Sequence, residues 1–276
     1  DVKSVDDVTE AVRTLARLHI CLNVVSSKGI KYVRDDAGQN IMRQWECMAL
    51  AEMEAECQNA ELIASESCGQ NIYVKFDKGT GIRQNFDRHT KEKKAANYMR
   101  GKKKKNEFEQ IALAAIDGFY REALAASELV QSKMFDERFD RMEQTNELIH
   151  GSYNYHNIFL DVGIGGDAVT NFEKCHNDCQ VVDLYQFLRK VMEKHDWDIN
   201  VAYRLVDEYD RCKPLDDTDI EMLVALLSFP EKFWKIINQY YNAGKAWVPA
   251  KNIDKLKTVI AQNRHRRELI DKMCGL

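Results

Sequence analysis

The chain has 276 residues, 45% of them hydrophobic and 30% charged, with a formal net charge of −4. That is material for one large domain or two small ones with a real core, and too apolar for a disordered tail. Charge near balance and spread along the chain argues against a general nucleic-acid or membrane-surface binder, no run approaches the roughly 18 apolar residues of a membrane span, and the first thirty residues lack a signal-peptide pattern, so a soluble protein is expected.

All three prolines (Pro214, Pro230, Pro249) lie in the last quarter, leaving the first 213 residues without a helix breaker. Helices should therefore dominate. Ser4 with Asp7 three residues on forms a capping-box-like start, and Val8, Val12, Leu15, His19, Leu22 and Val25 recur at helical spacing, predicting a helix from Val5 to about Val25. A loop then leads to a Gly- and Pro-free run, Asn40 to about Ser67, of high helix propensity, and Asn71–Phe86 reads as a hairpin or irregular excursion. Helices follow at Asp87–Arg100, Phe108–Lys133 and Asp136–Leu148. The lysine run Lys102–Lys105 between the first two reads as a solvated corner, with phosphate contact as its alternative.

At His150 the pattern switches. A polar loop, His150–Asn157, is followed by a short strand at Ile158–Leu160, a glycine-rich turn at Gly163–Asp167 and a second strand at Ala168–Phe172. Helices resume at Val182–His195, Asn200–Arg211, Asp217–Ser228, Pro230–Tyr241 and Lys251–Cys274. Eight cysteines at irregular spacing read as reduced thiols. The Cys175–Cys179 cluster offers metal-ligand types but lacks a second ligand pair of zinc spacing. The aromatic residues Phe229, Phe233, Trp234, Tyr240, Tyr241 and Trp247, at helical spacing, read as core, or as a partner surface wherever they are exposed.

A polar loop ending in Asn, then a strand, a turn and a second strand is the arrangement with which kinases hold metal and phosphate. His150-Gly151-Ser152-Tyr153-Asn154-Tyr155-His156-Asn157 resembles the H-G-D-x-x-x-x-N loop of the aminoglycoside phosphotransferase and choline kinase group, and Asn171-Phe172-Glu173 falls where those enzymes carry their metal-binding Asp. VTEAVRTLARLH, KKKKNEFEQIALAAIDGFYREALAASEL, VVDLYQFLRKVMEKHDWD and FPEKFWKIINQYYNAGKAWVP extend the likeness over most of the chain. Taken together they resemble the CotS-type spore coat proteins, a branch of that superfamily, with 51–86 as the poorly fitting stretch. The resemblance implies a mainly α protein, a single kinase-like C-terminal lobe over residues 1–276 in which a small hairpin follows the catalytic-type loop, with no N-terminal lobe evident.

It also assigns places to residues. Ser152 stands where the catalytic Asp would be, and a hydroxyl of very high pKa cannot take the acceptor's proton at neutral pH. Asn171 stands where the metal-binding Asp would be, leaving with Asn157 a weak, degenerate metal position to which Glu173 would add a carboxylate if strand geometry continued. His150 is expected to shape the loop through backbone hydrogen bonds, and Asp183 to cap the next helix and reach back to that loop. Tyr153 and Tyr155 are open between ligand contact and packing, and His156 is expected at the surface. The implied function is structural: a catalytically inactive component of the spore coat, made in the mother cell and partnered by other coat proteins, with no cofactor, nucleic acid or membrane. The alternatives are a Mg- and ATP-dependent phosphotransferase on a small hydroxylated acceptor, or a pseudokinase that binds nucleotide or another ligand without turnover.

Overall fold

The structure is a computed structural model that describes residues 4–27, 89–130, 133–161, 167–243 and 250–274. The helical run predicted at Asn40–Ser67, the excursion at Asn71–Phe86, most of the glycine-rich turn and Trp247 lie outside the described residues. In chain order the elements are α1 (Val5–Ser27), α2 (His89–Gly101), α3 (Glu107–Val130), α4 (Lys133–Thr145), β1 (Leu148–Ile149), β2 (Ile158–Phe159), β3 (Ala168–Val169), a 3-10 turn (Phe172–Lys174), β4 (His176–Asn177), α5 (Val181–Lys194), α6 (Ile199–Cys212), α7 (Asp217–Ser228), α8 (Glu231–Ala243) and α9 (Ala250–Met273). Among the described residues no helix is long and apolar enough to cross a membrane.

The helix starts follow from local chemistry. Ser4 and Asp7 form a reciprocal cap, Asp7 N–H donating to Ser4 Oγ at 3.0 Å and Ser4 N–H to Asp7 Oδ2 at 2.9 Å. Asn106 and Glu109 do the same for α3, each backbone N–H donating to the other's side chain at 2.9 Å. Asp216 accepts from Asp219 N–H at 2.9 Å before α7, and Asp198 accepts from Asn200 and Val201 N–H at 2.8 and 3.2 Å before α6. α4 stops at Thr145, three residues short of the sequence expectation, because Asn146 turns left-handed (φ 51°) and the chain enters β1.

The described chain falls into two compact units, one holding the residues up to 27 and from 133 to 223, the other those from 89 to 130 and from 224 onward. In the first, α1 is the central element. Val8, Ala11, Val12, Leu15, Leu18 and Leu22 are buried along it, and it packs against α4, α5, α6 and β1. Two antiparallel pairs sit in this unit. β2 and β3 form a hairpin with Ile158 opposite Val169, and β1 pairs with the more distant β4, Ile149 opposite His176. The second unit packs α3 against α2 and α9, and α8 against α2 and α9. Phe119 stacks on Phe233 at 3.9 Å between centroids, and Phe229, Phe233 and Trp234 are buried, as a core role requires. Lys102 of the lysine run is engaged rather than solvated: its Nζ lies 2.6 Å from Glu109 and 3.2 Å from the Tyr240 hydroxyl.

A buried ionic cluster fixes the first unit around β1. Arg138 donates through Nε to Asp219 and through Nη2 to Glu147, both at 2.7 Å, and Gln180 N–H donates to the same Glu147 oxygen at 3.2 Å. Burial works against the charge on Glu147, yet the Arg138 guanidinium outweighs it and holds the carboxyl below its ordinary range. Removing one partner strands the others without water. Arg138→Met is therefore expected to cost about 3–5 kcal/mol at neutral pH, read by urea denaturation. Because the folded pKa of Glu147 is depressed, its stabilisation is present at neutral pH and lost as pH falls through the folded value, so the cost of Arg138→Met shrinks on acidification.

Candidate functional site

The loop from His150 to Asn157 leaves β1 through a glycine whose identity is dictated twice. Gly151 has φ +72°, and a Cβ there would lie 2.2 Å from the Lys174 carbonyl oxygen. The loop thus rests directly on the 3-10 turn. His150, fully buried, accepts from Ser152 N–H through Nδ1 at 3.1 Å, which leaves Nε2 as the protonated nitrogen, donating to the Thr170 carbonyl at 2.9 Å. Burial holds His150 below its ordinary pKa, with the charge of Asp183 only partly opposing, so the ring is neutral and fixed in one tautomer.

Asp183, in the first turn of α5 and with no exposed surface, gathers the loop from below. Its Oδ2 accepts from His150 N–H at 2.6 Å and its Oδ1 from Gly151 N–H at 3.0 Å, while His19 Nε2 of α1 lies 3.3 Å from Oδ2. The other nitrogen of His19 meets the Tyr209 hydroxyl of α6 at 2.7 Å. Burial raises the Asp183 pKa, but His19 and the loop donors outweigh it and the carboxyl sits below its ordinary value. His19 is itself pushed down by burial and is neutral, with Tyr209 donating to Nδ1 and Nε2–H facing the carboxylate. This carboxylate is spent on backbone and imidazole donors.

The residues in the places expected to carry chemistry are neutral. Ser152 and Asn154 are part-buried, and the Ser152 carbonyl accepts from Asn154 Nδ2 at 2.6 Å and from Asn157 Nδ2 at 2.8 Å. Asn157 is buried, its carbonyl accepting from Thr170 N–H at 3.0 Å, and its Oδ1 is 3.5 Å from Asn171 Nδ2. The structure thus brings together His150, Ser152, Asn157, Asn171 and Asp183 in the first unit. Glu173 does not join them in the way strand geometry requires. β3 ends at Val169, Asn171 is left-handed (φ 67°, ψ 59°), and Phe172–Lys174 is a 3-10 turn in which positions two apart do not share a face. Glu173 is exposed on that turn, and His156 is exposed on the loop.

A magnesium ion is what the kinase-like resemblance implies for this position, and the donor set does not fit it. Magnesium is held by carboxylates in near-octahedral geometry. Here Asn157 offers one neutral oxygen, the nearest group of Asn171 is its amide donor, and Asp183 is occupied. Among the described residues no group of three or more His, Cys, Asp or Glu side chains is placed to hold a metal ion. Cys175 and Cys179 are buried free thiols, that of Cys175 pushed up by burial to about 12.

Several residues with a part in the site carried little sequence signal. Tyr153 is fully buried between Phe187 and His150, and its hydroxyl donates to the Ala11 carbonyl of α1 at 2.6 Å, so it packs. Tyr155 is part-buried, with the Lys194 ammonium 3.8 Å above its ring. Asp167, buried before β3, accepts from the Thr14 hydroxyl of α1 and from Asp161 N–H. The imidazole of His19 on the apolar stripe of α1 was the one available hint: a polar ring there needs a buried partner, although the sequence could not say which.

Two outcomes follow from this geometry. Gly151→Ala should lose roughly 1–2 kcal/mol for φ alone, with the forced displacement of the Lys174 carbonyl taking the total above about 3 kcal/mol in equilibrium unfolding. His150→Asn keeps an acceptor for Ser152 N–H and removes the titrating ring. Because the folded pKa of His150 lies below 6.5, the unfolded chain takes up the proton first, and this group's contribution to stability falls as pH drops through that value. The stability advantage of wild type over His150→Asn should therefore narrow between about pH 7.5 and pH 5.5; an advantage independent of pH would contradict a neutral buried ring.

Likeness to known proteins identifies the fold and the family. The crystal structure of an aminoglycoside phosphotransferase from Alicyclobacillus acidocaldarius matches 100% of this chain with a TM-score of 0.71 at 16% sequence identity, and the matched part is 67% of that protein. At that identity the likeness is one of fold, a kinase-like C-terminal lobe of helices with small antiparallel sheets. No curated protein matches the chain. Residues 134–273, which carry the loop, the hairpin, Asp183 and the helices after it, match the family described as "Spore coat putative kinase YutH", and the chain belongs to that family of spore coat kinase-like proteins.

Proposed function

We propose that the protein is a non-catalytic, kinase-like component of the spore coat, acting as a structural or interaction part in coat assembly. Family membership supports the coat, and the partners it implies are other coat proteins. One observation supports inactivity above the others: between β1 and the 3-10 turn, the positions that would supply base and metal ligand are Ser152 and Asn171, and the buried carboxylate under the loop, Asp183, is committed to His150, Gly151 and His19. Phosphoryl transfer needs a group to orient or deprotonate the acceptor and charge to neutralise the phosphates. Neither Ser152 nor a pair of amides supplies them. Among the described residues the bonds that hold the start of the loop, from Asp183 to His150, Gly151 and His19, are nevertheless in place, which suits a protein that is used for its surface.

The test is turnover and binding in the complete gene product. Thermal shift and calorimetry with Mg-ATP should give no metal-dependent stabilisation, and ATP should not be consumed in the presence of polyol or amino-sugar acceptors. Turnover that disappears in Asn171→Ala would establish the phosphotransferase reading instead. A metal-dependent shift without turnover would mark a nucleotide-binding pseudokinase and overturn the purely structural role.

A further inference from the structure

We infer that Asn171 closes the presumptive metal position with its own amide, so that the loop is held by a neutral clasp, Asn171 Nδ2–H to Asn157 Oδ1, and needs no cation. The inference deepens the non-catalytic reading and rests on it. Three features carry it. The orientation of the Asn157 amide is fixed, because its Nδ2 donates at 2.8 Å to the Ser152 carbonyl, a group that can only accept. That turns Oδ1, the side-chain atom of Asn157 able to bind a cation, toward Asn171, whose Nδ2 faces it at 3.5 Å. An acceptor in that place would repel, so the amide donor is the group that suits it.

The backbone holds the two residues in register. Thr170 N–H donates to the Asn157 carbonyl at 3.0 Å and the Thr170 carbonyl accepts from His150 Nε2 at 2.9 Å, so the residue before Asn171 is tied to both ends of the loop. Asn171 itself is left-handed at φ 67°, a conformation that Asn adopts far more readily than most residues. One residue thereby accommodates the left-handed backbone and presents the positive end of its amide dipole to Asn157. Asn154 extends the clasp, with its Nδ2 on the Ser152 carbonyl at 2.6 Å and its Oδ1 accepting from His156 N–H at 3.0 Å. Every donor and acceptor in this network is neutral, Asn171 is exposed, and 3.5 Å is longer than the roughly 2.7–3.2 Å of an ordinary N–H···O bond, so the clasp is a weak lock.

The experiment uses Mg2+ alone, without nucleotide, on the complete protein. Asn171→Asp is isosteric and replaces the donor by an acceptor, setting two oxygens face to face. It should lower Tm by about 2–4 °C in EDTA, and millimolar Mg2+ should recover much of that loss by bridging the oxygens, while the wild type shows no Mg2+ response. Asn171→Gly keeps the left-handed backbone and removes the amide; it should lose stability without any response to Mg2+. The clasp is overturned if wild type is stabilised by Mg2+ as much as Asn171→Asp, if Asn171→Asp loses nothing in EDTA, or if Asn171→Gly responds to Mg2+ as Asn171→Asp does. These outcomes separate from the functional reading. ATP turnover by a wild type that ignores Mg2+ alone would sink the non-catalytic role and leave the clasp standing; a wild-type Mg2+ shift without turnover would do the reverse.

Discussion

A carboxylate with no exposed surface sits at the start of α5, and the first unit is arranged around the need to satisfy it. Burying an ionised Asp183 is costly unless hydrogen-bond donors replace its water. The donors are the backbone N–H groups of His150 and Gly151 and the ring of His19, drawn from a loop 32 and 33 residues away and from a helix 164 residues away. None of the three segments can be placed without the others. His19 passes the constraint to α6 through Tyr209, and Gly151, pressed between the carboxylate and the Lys174 carbonyl, passes it to the turn that carries Asn171. The backbone at the start of the loop is therefore set by Asp183 and is independent of what the loop's other side chains could do chemically.

That independence explains how a kinase-like frame can carry neutral side chains at Ser152, Asn157 and Asn171. Ser152, Asn154, Asn157 and Asn171 bond to one another and to backbone, and the loop conformation asks nothing of a charged base or a metal. Fold and chemistry are separable here for a stated reason: at His150 and Gly151 the backbone is fixed by Asp183 and His19, which are different from the groups that would act on a substrate. Likeness to a phosphotransferase at 16% identity accordingly describes the frame.

The second unit is stabilised by different means and shows how an apparently solvated feature can be structural. Lys102 opens a lysine run, yet its ammonium meets Glu109 and Tyr240 and lies 4.8 Å from the Tyr98 ring centroid, so it links the end of α2 to the start of α3 and to α8. Arg266 of α9 donates to the Leu227 and Ser228 carbonyls at 2.9 Å, satisfying two groups at the C-terminal end of α7 that have no partner within their own helix.

The sequence by itself determined what is local. Ser4 with Asp7 and the acidic pair at Asp216/Asp217 announce helix starts because the bonds span three residues, and α1 and α7 begin where those signals stand. The His-Gly-Ser loop and its hairpin were equally legible, as was the helical character of the chain, since hydrophobic spacing and turn residues act within a few positions. Tertiary structure decided the rest. The β1–β4 pair, two residues long on each side, is too short for any periodicity to mark, and the left-handed Asn171 ends β3 early because the turn must seat under Gly151. The partners of the His19 ring lie 164 and 190 residues away in the sequence, and Arg138 reaches Asp219 across 81 residues. A buried polar residue can be recognised as needing a partner from its place on an apolar stripe, but only packing brings the partner to it, because the requirement is for a group in space and carries no signature along the chain.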